Sequence, residues 1–203
     1  METSLKLYFA PRTRASRPRW LLEELGVPYE LVTLDFAKGE QKLPEYLAIH
    51  PFGAVPALVD GDMTMIESAA ICLYLADKFL DKGLAPAFGS AARGPYYQWM
   101  TYAMATLEPA VVEYASQTML LPEDQRSPEA AAKAKERYEQ LSKPLFAALA
   151  KGPFLLGDAL SAADIVLGSI VNWARGLKLP VDAAGEAWLS RLKARPSFRR
   201  AMS

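Results

Sequence analysis

Ala54-Val55-Pro56-Ala57-Leu58-Val59-Asp60-Gly61-Asp62-Met63-Thr64-Met65-Ile66 decides the fold. Two short apolar runs flank Asp60-Gly61, and Asp-Gly between apolar runs signals a β-hairpin. Directly after it, Glu67 to Phe79 takes helical spacing, with Cys72, Leu75 and Phe79 on one face. That makes a β-β-α unit. Upstream, the polar stretch Lys38-Gly39-Glu40-Gln41-Lys42 leads into a short helix around Pro44 to Ile49. Further out, Leu5, Leu7 and Phe9 alternate with Lys6 and Tyr8 as in a short strand, which Pro11-Arg12-Thr13 breaks. Trp20-Leu21-Leu22-Glu23-Glu24-Leu25 reads as an amphipathic helix stopped by Gly26, and Tyr29 to Leu34 reads as a second strand. A βαβ unit of about thirty residues favours a parallel strand pair. Together these elements predict an α/β domain over residues 1–81.

Residues 82–95 read as a linker, because glycine and proline alternate there and periodicity is lost. From 96 to 203 the pattern is helical throughout. Tyr97, Met100, Met104, Leu107 and Val111 recur at spacings of three and four, and Pro128 to Leu149 is rich in strong helix formers. Ser161-Ala162-Ala163-Asp164 carries a helix-start signature, with Asp164 standing where a capping box has Glu or Gln. Trp188 to Lys193 and Ser197 to Met202 suggest short final helices.

Composition narrows the function. The chain has 203 residues, 51% of them apolar, and its 23 Lys and Arg balance 23 Asp and Glu. A general nucleic-acid binder needs a basic excess that this chain lacks. One cysteine, Cys72, excludes an internal disulfide, a Cys-x-x-Cys redox pair and a Cys-rich zinc site, and one histidine, His50, excludes a histidine metal cage. Met1 to Lys6 shows no basic leader before an apolar core, and no apolar run reaches the ~18 residues of a membrane span. A cytoplasmic protein without nucleic-acid or membrane partners is expected.

Several motifs stand in order along the chain: Leu7-Tyr8-Phe9-Ala10-Pro11-Arg12-Thr13, Trp20 to Tyr29, His50-Pro51-Phe52-Gly53-Ala54-Val55-Pro56-Ala57-Leu58, Glu67-Ser68 and Ser161-Ala162-Ala163-Asp164. In that order and spacing the chain resembles the cytosolic glutathione S-transferase superfamily over nearly its whole length. The resemblance implies a thioredoxin-like N-terminal domain, an all-α C-terminal domain and a homodimer. It implies glutathione as co-substrate, no metal, and conjugation of the glutathione thiolate to a small, largely apolar electrophile. Disulfide or peroxide reduction or isomerisation on the same site is the alternative, and a non-catalytic binding module is a third.

The residues fit that chemistry. Around Val55-Pro56, which the resemblance implies is cis, free main-chain groups can pair with an extended tripeptide as an added strand. Glu67-Ser68 opens a helix, where free N–H groups and the positive dipole end suit a carboxylate while Glu67 suits an ammonium. A free amino-acid end carries both charges. Three hydroxyls compete as partner to the sulfur: Thr13 first, then Tyr8, then Ser16, with Arg14 as a second donor. Pro18 has no N–H to bond, so the helix should begin well after Thr13, with Ser16 as its cap or with a distorted first turn. Gln41, with Lys38 and Lys42, is a candidate for the glycyl carboxylate, His50 is expected to hold its loop by a hydrogen bond, and Cys72 reads as a buried structural thiol. The resemblance places the electrophile between the domains, with Tyr102, Met104, Thr106 and Met119 as candidate contacts.

Overall fold

The computed structural model describes residues 5–202; residues 1–4, on which the leader reading partly rests, lie outside them. Four strands form one mixed sheet in the order β2-β1-β3-β4. They are β1 (Leu5–Phe9), β2 (Glu30–Thr33), β3 (Ala57–Asp60) and β4 (Met63–Ile66). β1 and β2 run parallel with Leu7 opposite Leu31, as the βαβ reading predicts. β1 and β3 are antiparallel with Tyr8 opposite Ala57, and the Asp60-Gly61 turn pairs β3 with β4. Leu5, Leu7 and Phe9 are buried while Lys6 and Tyr8 are half-buried, the period of two that fixes the register.

Helices α1 (Ser16–Leu25), α2 (Pro44–Leu47) and α3 (Ser68–Lys78) complete this part. Trp20, Leu21 and Leu22 of α1 and Ile71, Cys72 and Leu75 of α3 have no exposed surface. Burial pushes the Cys72 thiol up to about 12, so it behaves as an inert small hydrophobe. Phe79, predicted on the same face, is only half-buried because it lies just past the end of α3.

The second part is helical: α4 (Arg93–Tyr102), α5 (Glu108–Ala115), α6 (Pro128–Leu149), α7 (Ala162–Gly176) and α8 (Ala183–Lys193). A wide π turn at Ala103–Leu107 joins α4 to α5, and a second at Ser116–Leu120 follows α5. Each π turn takes in an extra residue and rotates the faces beyond it. The buried stripe of α4 runs Tyr96, Trp99, Met100 and Ala103, one position ahead of the predicted one, so Tyr97 is 44% exposed.

α7 begins on a fully bonded carboxylate. Asp164 is buried and accepts from the N–H groups of Leu155 (2.9 Å) and Ser161 (3.0 Å), the Ser161 hydroxyl (2.7 Å) and the Trp188 indole (3.0 Å). Asp thus fills the capping-box position, and its shorter side chain reaches the backbone because it is buried with it. Burial raises its pKa against the pull of those donors.

Contacts divide the chain into two compact units, residues 1–85 with 193–203, and residues 86–192. The sequence assigned 96–203 to one helical domain, but the last helix, α9 (Pro196–Met202), belongs to the first unit. The reason is local. Arg195 binds Glu24 through two donated hydrogen bonds of 2.6 and 2.8 Å, and Phe198 packs edge-on against Trp20 at 5.0 Å. α4 likewise begins at Arg93, inside the expected linker.

Candidate functional site

The start of α3 leaves polar groups open. Glu67, its N-cap, holds φ 73° and ψ 108°, a region that a side chain other than glycine occupies at a cost of about 1–3 kcal/mol. The turn leaves Glu67 exposed and Ser68, the first helical residue, only 3% exposed. Ile71 is the first residue whose N–H bonds back, to the Glu67 carbonyl at 2.9 Å. Among the described residues the N–H groups of Ser68, Ala69 and Ala70 have no acceptor. These amides and the helix dipole make a ready anion seat.

Val55-Pro56 is a cis peptide, as expected. The ladder begins at Ala57, and among the described residues the amide and carbonyl of half-buried Val55 are unbonded. The loop before it is held firmly. The Tyr46 hydroxyl donates to the Ala54 carbonyl, and the Lys42 ammonium reaches the Phe52 carbonyl at 3.4 Å. Gly53 has φ +59°, and a Cβ there would stand 2.6 Å from the Gln41 carbonyl, so only glycine lets these segments meet. Lys42 is thus tied to the loop, Lys38 pairs with Asp35 at 3.4 Å, and Gln41 keeps a buried amide oxygen with no partner. His50 is buried, and its Nδ1 has no partner among the described residues. Burial pushes its pKa below the usual value, against the attraction of Glu67.

The three competing hydroxyls stand in different surroundings. Thr13 is half-buried; its hydroxyl donates to the Ala10 carbonyl at 2.6 Å and accepts from the Ala15 N–H at 3.3 Å. Ser16 donates to the Thr13 carbonyl at 2.9 Å. It is the first residue of α1 rather than its cap: Ala15 holds that position without a side-chain bond. Pro18 is then third in the helix, where no N–H is needed, and the first α-helical bond runs from the Arg19 N–H to Ala15. The Tyr8 ring lies 5.3 Å from that of Tyr46, tilted by 50°, and lines a groove of about 270 Å³ with Leu34, Glu40, Leu43 and Ile49. None of Thr13, Val55, Glu67 or Ser68 lines that groove. Arg14 is exposed on the turn into α1.

In the helical unit, Met104 and Thr106 lie half-buried in the first π turn, and Met119 is 54% exposed in the second. Tyr102 turns toward α6, its hydroxyl donating to the Leu141 carbonyl, and burial pushes its pKa up to about 12. A groove of about 520 Å³ in this unit is lined by Ser142, Phe146 and Val181, among others, and by none of those four residues. No group of three or more potential metal ligands occurs among the described residues, and no helix there is long and apolar enough to cross a membrane.

One participant escaped the sequence reading. Arg17 is 3% exposed, and its Nη1 donates to the Ser68 hydroxyl at 3.2 Å across 51 residues of chain. Its spacing offered a signal: Arg17, Leu21 and Leu25 recur every four residues, which places the arginine on the buried face of α1.

Comparison with known proteins agrees with this geometry. The family description "Glutathione S-transferase, N-terminal domain" matches residues 3–77, and "Glutathione S-transferase, C-terminal domain" matches residues 107–196. Glutathione S-transferase 3 of Zea mays is 35% identical, with 98% of this chain and 93% of that protein covered. The disulfide-bond oxidoreductase YfcG of Escherichia coli is 31% identical, with 98% and 94% covered. The crystal structure of the glutathione transferase URE2P6 from Phanerochaete chrysosporium in complex with oxidized glutathione superposes with a TM-score of 0.84 at 27% identity, over 98% of this chain and 94% of that one. Fold, motif order and full-length similarity agree, and the chain belongs to the glutathione S-transferase family.

Proposed function

We propose that this protein binds glutathione along Val55 and the start of α3 and joins its sulfur to an electrophilic carbon. The observation that carries this reading is the pairing of two unbonded sets: the main-chain groups of Val55 and the first amides of α3. The peptide's cysteinyl unit pairs with Val55 as a short strand, its glutamyl carboxylate takes the amides and the Ser68 hydroxyl, and its ammonium faces Glu67. Gln41 is assigned to the glycyl carboxylate.

The thiol then sits near the opening of α1. A hydroxyl donated to sulfur favours the thiolate over the thiol and lowers the pKa from about 8.5. Thr13 is assigned this role over Tyr8 and Ser16. Its proton rests on the Ala10 carbonyl in the free protein, so the hydroxyl must rotate toward the sulfur as glutathione binds. The thiolate attacks the electrophile, a carbon–sulfur bond forms, the leaving group departs with its electron pair, and the thiol proton goes to solvent. The protein contributes positioning and a lowered pKa, and no metal takes part. Tyr102, Met104, Thr106 and Met119 are assigned to the electrophile. A homodimer and a cytoplasmic location belong to the same reading.

Glutathione-dependent disulfide reduction is the second reading. It is favoured by one observation: the disulfide-bond oxidoreductase YfcG is 31% identical over 98% of this chain. Parallel assays with an aryl halide, a low-molecular-weight disulfide and a peroxide separate the two. Turnover of the halide supports conjugation; turnover confined to disulfide or peroxide moves the assignment to reduction; failure of the protein to bind immobilised glutathione removes both.

A further inference from the structure

We infer that the groove beside Tyr8 and Tyr46 is a second binding site, and that its ligand is a small organic cation: an ammonium group carrying apolar substituents. The inference goes beyond the glutathione reading and stands without it, since none of the residues at Val55 or the start of α3 lines this groove.

The walls are aromatic, apolar and acidic. Tyr8 of β1 and Tyr46 of α2 supply two rings, and Leu34, Leu43 and Ile49 supply aliphatic surface. The charge is of one sign only: Glu40 and Glu45 line the groove, and no Lys or Arg does. Neither carboxylate is neutralised. Glu45, exposed in the first turn of α2, has no hydrogen bond or ion pair among the described residues. Glu40 accepts from the Asp35 N–H at 2.8 Å and has no ion pair among the described residues. The lysines nearest in sequence are engaged elsewhere, Lys38 with the Asp35 carboxylate and Lys42 with the Phe52 carbonyl, each at 3.4 Å. The Tyr8 hydroxyl, too, has no partner among the described residues.

This combination selects by charge and by surface. A cation is attracted both by the carboxylates and by the electron-rich faces of aromatic rings, whereas an anion meets two like charges. A neutral apolar molecule gains only the burial. A bare metal ion gains nothing from Leu34, Leu43 and Ile49, while alkyl or aryl groups on an ammonium bury that surface. The groove, at about 270 Å³, lies just below the ~300 Å³ where small-molecule pockets usually begin, so the ligand is limited to one ring or a few alkyl groups.

The test titrates three probes into isotope-labelled protein: benzyltrimethylammonium, neutral benzyl alcohol and anionic phenylacetate. Binding is read from the NMR resonances of Leu34, Leu43, Glu45 and Ile49. Wild-type protein should bind the cation about tenfold more tightly than the alcohol and show no saturable response to phenylacetate at those residues. Glu45→Gln should weaken the cation about threefold and leave the alcohol within about twofold. Tyr8→Leu should weaken the cation about fivefold, whereas Tyr8→Phe, which keeps the ring, should hold it within about twofold. Saturating glutathione should leave the cation's affinity unchanged. Equal affinity for cation and alcohol, tighter binding of phenylacetate, shifts confined to other residues, or competition by glutathione each overturns the inference, as does failure to bind the cation at all. If Tyr8→Leu does not fold, Glu45→Gln on the exposed start of α2 decides, and an undiminished preference for the cation there overturns the inference. Protein that binds the cation in this way but does not bind glutathione overturns the glutathione reading and leaves this one in place.

Discussion

Two helix starts carry similar polar residues and do opposite things with them. At the start of α7, Ser161 and Asp164 are buried and mutually bonded, and the Asp164 carboxylate takes four donors from three separate segments. At the start of α3, Ser68 is just as buried, yet the amides of the first turn find no acceptor among the described residues and Glu67 is turned outward on a strained backbone. Buried polar groups are normally satisfied. A satisfied set is finished and serves the fold. An unsatisfied set next to strained backbone is waiting for something, and strain of this kind concentrates at functional sites.

The contrast can be broken most visibly at Asp164. Asp164→Ala strands the Trp188 indole and the Leu155 amide in the core and should cost about 3–5 kcal/mol in urea denaturation. Ser68→Ala removes one acceptor from the buried Arg17 guanidinium and should cost less, about 1–3 kcal/mol, while weakening glutathione binding about tenfold or more by calorimetry. If Ser68→Ala unfolds the protein without touching affinity in the folded fraction, the two starts are not different in kind. Thr13→Ala should lower kcat for conjugation about tenfold or more and raise the pKa of the bound thiol, while Thr13→Ser should retain most activity. Tyr8→Phe, in a groove of its own, should change kcat less than about twofold.

The smallest effect concerns His50. Burial holds its folded pKa below the unfolded value of 6.5, so the protein must bury it neutral. Its contribution to stability is present above pH 6.5 and is lost as the pH falls through the lowered folded value. Denaturation between pH 7 and pH 5 should therefore lose less stability in His50→Asn than in the wild type.

Much of this was legible in advance because it follows from local chemistry. The Asp60-Gly61 turn, the alternation of Leu5, Leu7 and Phe9, and the Ala/Lys/Glu composition of residues 128–149 each act within a few residues, and the structure has the corresponding elements at nearly those bounds. What escaped depends on contacts distant in sequence or on how packing chooses between neighbouring residues. Arg17 meets Ser68 across 51 residues, and Arg195 meets Glu24 across 171, so neither partner is visible in its own neighbourhood. Tyr97 stands next to Tyr96 in α4, and both fit a helical stripe by type; the packing chooses Tyr96, which is buried, and leaves Tyr97 exposed. The cap of α1 was misread because Ser16 is a good cap by type, yet its hydroxyl turns back to the Thr13 carbonyl and leaves the position to Ala15. The motif set around Val55 and Glu67-Ser68 stood out even so, because its spacing along the chain is as specific as its chemistry.

The most direct test follows backbone amide resonances of the isotope-labelled protein during titration with glutathione. The amides of Val55, Ser68, Ala69 and Ala70 should move most and saturate together, while those of Leu155 and Ser161 around Asp164 stay still. Saturating binding that shifts another part of the chain and leaves these four amides unmoved would contradict the account.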